Sequence, residues 1–182
     1  MAPRRGHMVL VVGPSGAGKD TLIDHARVRL QSDTDFYFVR RVITRSPSIG
    51  ENHESVTLAE FQRRASAEGF ALHWQAHGFL YGIPSAVEHQ LGRGAVVVAN
   101  ASRAIVPLAR QRYPQLLIIN VTVPVELLAK RLAGRGREDD TSQKRRLARS
   151  DLDLIEGRDV LCIDNAGSLS VAGEQFMRAL RA

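Results

Sequence analysis

The sequence predicts an α/β fold: one parallel sheet with helices packed on both of its faces. Three observations predict it. Short apolar runs of strand length alternate with helical patterns. The runs are apolar throughout, as strands buried on both faces require. A glycine-rich turn joins the first run to the first helix.

The first strand is read over Met8 to Val12, and the helix after it over Asp20 to Gln31. Leu22, Ile23, Ala26 and Leu30 share one face of that helix. Phe36 to Val39 reads as a second short strand. Thr57 and Glu60 have capping-box spacing and open a helix reaching Ala67. Ala71 to Gln75 reads as a strand, and Pro84 to Leu91 as a helix entered through proline. Three more strands fall at Ala95 to Ala99, Leu116 to Val121 and Val160 to Ile163. Pro124 opens a helix to about Leu132, and further helices are expected at Arg145 to Ile155 and Ser168 to Leu180. Residues 36 to 91 break the alternation and read as an insert able to close over a substrate. Residues 134 to 142 are polar and contain glycine, so they read as a mobile loop between helices. One domain is expected over 1–182, with its core in 8–35 and 92–182.

The chain has 182 residues and 44% hydrophobic content, enough for one compact core. No apolar run is long enough to span a membrane, and the run from Met8 is too short for a secretory leader. A cytoplasmic location is therefore expected. Cys162 is the sole cysteine, which excludes an intrachain disulfide and a cysteine-built zinc cluster. It is expected to be buried as a small hydrophobe. The formal charge is +6, and 22 of the 25 basic residues are arginine. The arginines are scattered, without an aromatic-rich basic groove, so neither nucleic acid nor membrane is expected as a partner. A small, multiply phosphorylated substrate fits better, because the planar guanidinium grips phosphate oxygens in pairs.

The turn after the first strand is Gly13-Pro14-Ser15-Gly16-Ala17-Gly18-Lys19-Asp20. Between a buried strand and a helix, this spacing makes a phosphate loop whose backbone N–H groups converge on an anion. Gly13, Gly16 and Gly18 let the backbone wrap closely. Lys19 is placed for the β and γ phosphates of a nucleoside triphosphate, expected to be ATP. The full expectation is a three-layer P-loop NTPase fold with a central parallel sheet, an acceptor-binding insert and a lid at about 134–142. One position departs from the usual pattern. Asp20, followed by Thr21, stands where a hydroxyl normally meets Mg²⁺. Asp20 either helps hold Mg²⁺, directly or through water, or caps the helix.

Further segments extend the pattern: Ile43-Thr44-Arg45, Gly50-Glu51-Asn52-His53, Tyr81-Gly82, Val98-Ala99-Asn100-Ala101-Ser102-Arg103 and Arg135-Gly136-Arg137-Glu138. With them, nearly the whole chain resembles the guanylate kinase-like enzymes, and within these the ribose 1,5-bisphosphate phosphokinases. The resemblance implies transfer from ATP, with Mg²⁺, to ribose 1,5-bisphosphate, giving 5-phosphoribosyl 1-diphosphate and ADP. It implies catalytic roles for Lys19, Arg135, Arg137 and Arg146. Arg149, three residues after Arg146, is a neighbouring candidate on the same helix face. Thr44, Arg45 and Tyr81 match acceptor-phosphate positions of guanylate kinases, and Glu51 is a further acceptor candidate. Arg103 is placed to replace a second insert arginine, where Ser48 now stands. His53, His73, Asn100 and Ser102 complete the acceptor candidates. Guanylate kinases carry acids for guanine where this chain has His73 and Asn100, so a guanine acceptor is disfavoured. A nucleoside monophosphate kinase is the alternative enzyme. A catalytically inactive binding module is the alternative of another class, and intact Gly13, Gly18 and Lys19 argue against it.

Overall fold

The computed structural model describes residues 6–46, 52–133 and 155–182. The α/β fold expected from the sequence is the fold found. Strand β1 (His7–Val12) lies at the centre of a five-stranded parallel sheet. β7 (Val96–Asn100) and β2 (Phe36–Phe38) follow on one side, and β8 (Leu116–Thr122) and β9 (Val160–Asp164) on the other. Val9 and Val11 of β1 face helix α1 (Lys19–Arg29) and the C-terminal helix α6 (Leu169–Arg181), packing with Leu22, Ala26 and Phe176. Met8, Leu10 and Val12 face the other layer, with Val106 and Ala109 of α4 (Val106–Arg112). Both faces of β1 are therefore dry, which is why its sequence is apolar without alternation.

A second sheet has the order β4-β3-β6-β5. Its strands are β3 (Arg41–Ile43), β4 (His53–Ser55), β5 (Phe70–Ala76) and β6 (Phe79–Pro84). Helix α2 (Leu58–Ser66) covers it through Phe61, which stacks on Phe70 with ring centroids 4.4 Å apart. The N-cap half of the capping box forms: the Thr57 hydroxyl accepts from the Glu60 N–H at 3.2 Å, while the Glu60 carboxylate bonds Arg63 and Arg64. Ile43, Trp74, Tyr81 and Ile83 join the same apolar cluster as Met8 and Leu10, seating the small sheet on the large one. Helices α3 (Val87–Gly92) and α5 (Val125–Ala133) and a 3-10 turn at Arg103–Ile105 complete the described elements. No helix among the described residues is long and apolar enough to cross a membrane.

Several elements differ from the sequence reading. Pro84 closes β6 and the helix begins at Val87, because Pro84 sits opposite Phe70 in the hairpin register. Phe36–Phe38, grouped with the insert from the sequence, pairs with β7 in the large sheet. Strands β3, β4 and β6 and helix α4 were not read at all; β3 and β4, of three residues each, carry no measurable period. Cys162 is exposed rather than buried, since β9 forms the sheet's edge with β8 on one side only. The segment expected as a lid and most of the helix expected at 145–155 lie outside the described residues.

Candidate active site

The phosphate loop leaves the carboxyl end of β1, at the point where strand order turns toward β7 on one side and β8 on the other. Open α/β sheets bind ligands at this position. Gly13, Gly16 and Gly18 have φ of 142, 87 and 89°, in the region that favours glycine. At Gly13 a Cβ would lie 2.3 Å from the carbonyl oxygen of Val121. At Gly18 it would lie 2.4 Å from Asn165 Nδ2. The same Nδ2 donates to the carbonyl of Ala17 at 2.7 Å, and Asn165 is buried. Its backbone is anchored twice more, donating to Thr122 O at 2.9 Å and accepting from Arg131 at 2.9 Å. The loop is thus braced from behind by the turn after β9. Lys19 Nζ donates to the carbonyls of Gly13 and Pro14, both at 2.9 Å, so its ammonium arches over the loop.

Asp20 sits in the first turn of α1, whose N-cap is Gly18 with no side-chain capping bond. Its Oδ1 accepts from Asn100 Nδ2 at 2.7 Å and lies 3.8 Å from Arg41 Nη2. The carboxylate therefore faces across to the ends of β7 and β3 and does not close back on its own helix. Its negative charge still complements the helix N-terminus.

A cavity of about 520 Å³ opens between this loop and the small sheet. Of the residues expected at the site, Gly13, Pro14, Ser15, Lys19, Asp20, Arg45, Tyr81, Asn100, Ser102 and Arg103 line it. Tyr81 lies parallel to Trp74 with centroids 5.5 Å apart. Four cationic side chains, Lys19, Arg41, Arg45 and Arg103, meet one carboxylate, Asp20, among the described lining residues. The cavity is built to receive negative charge.

Other expected residues lie elsewhere. Thr21 is exposed and not on the cavity lining. Thr44 uses its hydroxyl oxygen to accept from Leu80 N–H at 2.9 Å, joining β3 to β6. His53 is buried with Nε2 3.4 Å from the Arg45 carbonyl, supporting the segment that carries Arg45. His73 is exposed on the opposite side of β5 from Trp74, its ring 6.3 Å from that of Phe61. Glu51, Arg135, Arg137, Arg146 and Arg149 lie outside the described residues.

Sequence reasoning missed Arg41, Gln75 and His77 on the lining. His77 and Gly78 form the β5–β6 turn with φ of 51 and 78°. Two successive positive φ values suit a tight two-residue hairpin, and the glycine between two apolar runs was the available signal. No cluster of three or more His, Cys, Asp or Glu able to hold a metal occurs among the described residues. A lone carboxylate beside Lys19 nevertheless fits Mg²⁺, which takes one or two carboxylates and completes its shell with water and substrate phosphate.

No family model matches the chain. Comparison with curated proteins is decisive. The chain is 45% identical over 175 residues to ribose 1,5-bisphosphate phosphokinase PhnN of Agrobacterium fabrum, covering 96% of each. It is 48% identical over 174 residues to the protein of that name from Ruegeria sp., covering 94% of this chain and 90% of the other. The chain belongs to the ribose 1,5-bisphosphate phosphokinase family. Solved structures agree on the fold. Guanylate kinase from Anaplasma phagocytophilum superposes with a TM-score of 0.67 at 17% identity, covering 98% of this chain and 86% of the other. A gluconokinase from Sinorhizobium meliloti gives 0.55 at 18% identity, covering 98% and 93%.

Proposed function

We propose that the protein transfers the γ-phosphoryl group of ATP to the 1-phosphate of ribose 1,5-bisphosphate, forming 5-phosphoribosyl 1-diphosphate and ADP. The observation that carries the acceptor class is the cavity's balance of four cations against one carboxylate, on a chain of this family. A guanine ring would need buried acceptors for its N–H groups. Asp20 is the only acid on the described lining, and its Oδ1 accepts from Asn100.

The nucleophile is an oxygen of the 1-phosphate, ionised at neutral pH, so the reaction needs no general base. That oxygen bonds to the γ phosphorus as the bond to the ADP oxygen breaks, and ADP leaves with the electron pair. Mg²⁺, when bound, offsets phosphate charge, and Asp20 is the residue on this chain suited to hold it. The phosphate loop fixes the donor, and Lys19 neutralises charge on the transferred group. Arg45 and Arg103 align the acceptor by gripping its phosphates. Arg135, Arg137 and Arg146, outside the described residues, are assigned charge stabilisation on the transferred group, as the family resemblance implies.

The test is a coupled ADP-release assay offering ribose 1,5-bisphosphate and GMP in parallel. Turnover with the bisphosphate and little with GMP is expected. Preference for GMP would overturn the reading.

A further inference from the structure

Asn100 ends β7 and is buried, 7% exposed, although its side chain is polar. The parallel register sets it opposite Val11, and the Ala101 N–H donates to Val11 O at 2.9 Å, so this strand end is pinned beside the phosphate loop. A buried amide needs a partner, and this one reaches across to helix α1. Its Nδ2 donates to Asp20 Oδ1 at 2.7 Å, a length typical of a hydrogen bond to an ionised acceptor. The Asp20 side chain is 45% exposed in the first turn of α1, where an unbonded carboxylate samples several rotamers. The nearest approach of Arg41, at 3.8 Å, is to Oδ1 as well. Oδ2 has no hydrogen-bond partner among the described residues. Asp20 is thus held by one oxygen, at the wall of the cavity, from a rigid strand end.

Resting on the donor reading given above, we propose that Asn100 is a positioning residue of the donor half of the site: its amide holds Asp20 by Oδ1 and so keeps Oδ2 for the Mg²⁺ that accompanies the donor phosphates. A second bond to a metal-binding carboxylate fixes its direction and raises its affinity. An amide is the partner suited to this place. An acid at position 100 would set two carboxylates at hydrogen-bond distance, where like charges repel. An apolar residue would leave Asp20 to rotate among its rotamers. The strand end supplies the rigidity, since β7 is paired on both sides, with β1 and β2. Asp20 rides on the helix that opens at Lys19, so the bond ties the sheet to the phosphate loop through the carboxylate itself. The resemblance counted Asn100 with the acceptor; its bond to Asp20 assigns it to the donor.

Calorimetric titration of the full-length enzyme with a non-hydrolysable ATP analogue, once in Mg²⁺ and once in chelator, tests this without turnover. The ratio of the two affinities measures what the metal adds. Asn100→Ala should cut that ratio by about tenfold and leave the affinity in chelator within about twofold. In the Asp20→Asn background the same substitution should change the ratio no further, because the amide acts through Asp20. A further drop there would count against the proposal, as would an unchanged ratio in Asn100→Ala alone. Equal losses in Mg²⁺ and in chelator would mean that Asn100 only shapes the phosphate loop, and would overturn it. If Asn100→Ala does not fold, as judged by circular dichroism, the exchange of Asp20→Asn with Asn100→Asp decides. The exchange keeps one carboxylate facing one amide across the same gap, so Tm should stay within a few degrees of the wild type while the ratio falls. A wild-type ratio in the exchanged protein would sink the proposal. A wild-type enzyme whose affinity for the analogue does not respond to Mg²⁺ would refute the metal role of Asp20 on which the proposal rests, a result distinct from a change confined to the Asn100 variants.

Discussion

The side-chain amide of Asn165 donates to the main-chain carbonyl of Ala17 at 2.7 Å, joining residues 148 positions apart in the chain. Asn165 is buried, and its own backbone is bonded to Thr122 and Arg131. The shape of the phosphate loop therefore depends on a turn at the far end of the sequence. Asn165→Ala should leave the Ala17 carbonyl without this partner and cost about 1–3 kcal/mol of stability. The expected signs are a lower Tm and a raised KM for ATP, with the acceptor KM little changed. A wild-type Tm together with a wild-type ATP KM would show that the brace is dispensable.

Gly18 faces that same amide. Gly18→Ala places a methyl carbon 2.4 Å from Asn165 Nδ2, too close for an unstrained contact, at a φ of 89° that alanine rarely adopts. The penalty should exceed that of an ordinary glycine-to-alanine change, at about 2 kcal/mol or more. Combined with Asn165→Ala, the steric part should be partly relieved. Thermal unfolding of the two single variants and the double variant measures this directly, and strict additivity would argue against the contact.

Lys19 should matter to rate before affinity. Lys19→Met removes the ammonium from the loop while leaving the backbone N–H groups in place. A fall in kcat of about a hundredfold to a thousandfold is expected, by analogy with the loss of one preorganised charge at a reacting centre. A change confined to KM would mean that Lys19 binds the donor and does not stabilise transfer.

Asp20→Asn separates two roles. If the carboxylate helps hold Mg²⁺, the concentration of Mg²⁺ needed for half-maximal rate should rise by about tenfold. If it serves only to complement the helix N-terminus, Tm should drop by a few degrees and the Mg²⁺ titration should stay where it was.

Glu60 offers a pH readout on the insert. Bonds from Arg63 and Arg64 hold its carboxyl down from 4.5 to about 2. A depressed carboxyl contributes stability that is present above its unfolded value and lost as pH falls toward 2. Arg64 also pairs with Glu54 at 2.8 Å, tying α2 to β4. Acidification from pH 5 to pH 2 should therefore weaken the seating of α2. The Glu60 carboxyl resonance, followed by NMR, should titrate near 2; a midpoint near 4.5 would contradict the network.

The phosphate loop was legible because its chemistry demands glycine and lysine at fixed spacing, after a buried strand and before a helix. The partners of its unusual residue were not. Asp20 meets Asn100 only because β1 and β7 run parallel with Val11 opposite Asn100, a register no local pattern encodes. Arg41 escaped for a related reason: β3 has three residues, too few for alternation to mark an inward face. His73 could have been placed. It neighbours Trp74 on a strand of seven residues, and period-two alternation sends adjacent side chains to opposite faces. A buried Trp74 therefore implied an outward His73. Cys162 misled because an apolar run implies burial only when the strand is central, and sheet order is a property of the whole fold.

Trp74 is the only tryptophan in the chain, and it lies parallel to Tyr81 against the cavity. The enzyme therefore carries its own optical reporter. Trp74 lines the cavity, so a phosphate entering it should alter the field at the indole, and ultraviolet emission should follow acceptor loading without any attached dye. Emission from this single residue would time filling of the acceptor side separately from nucleotide turnover.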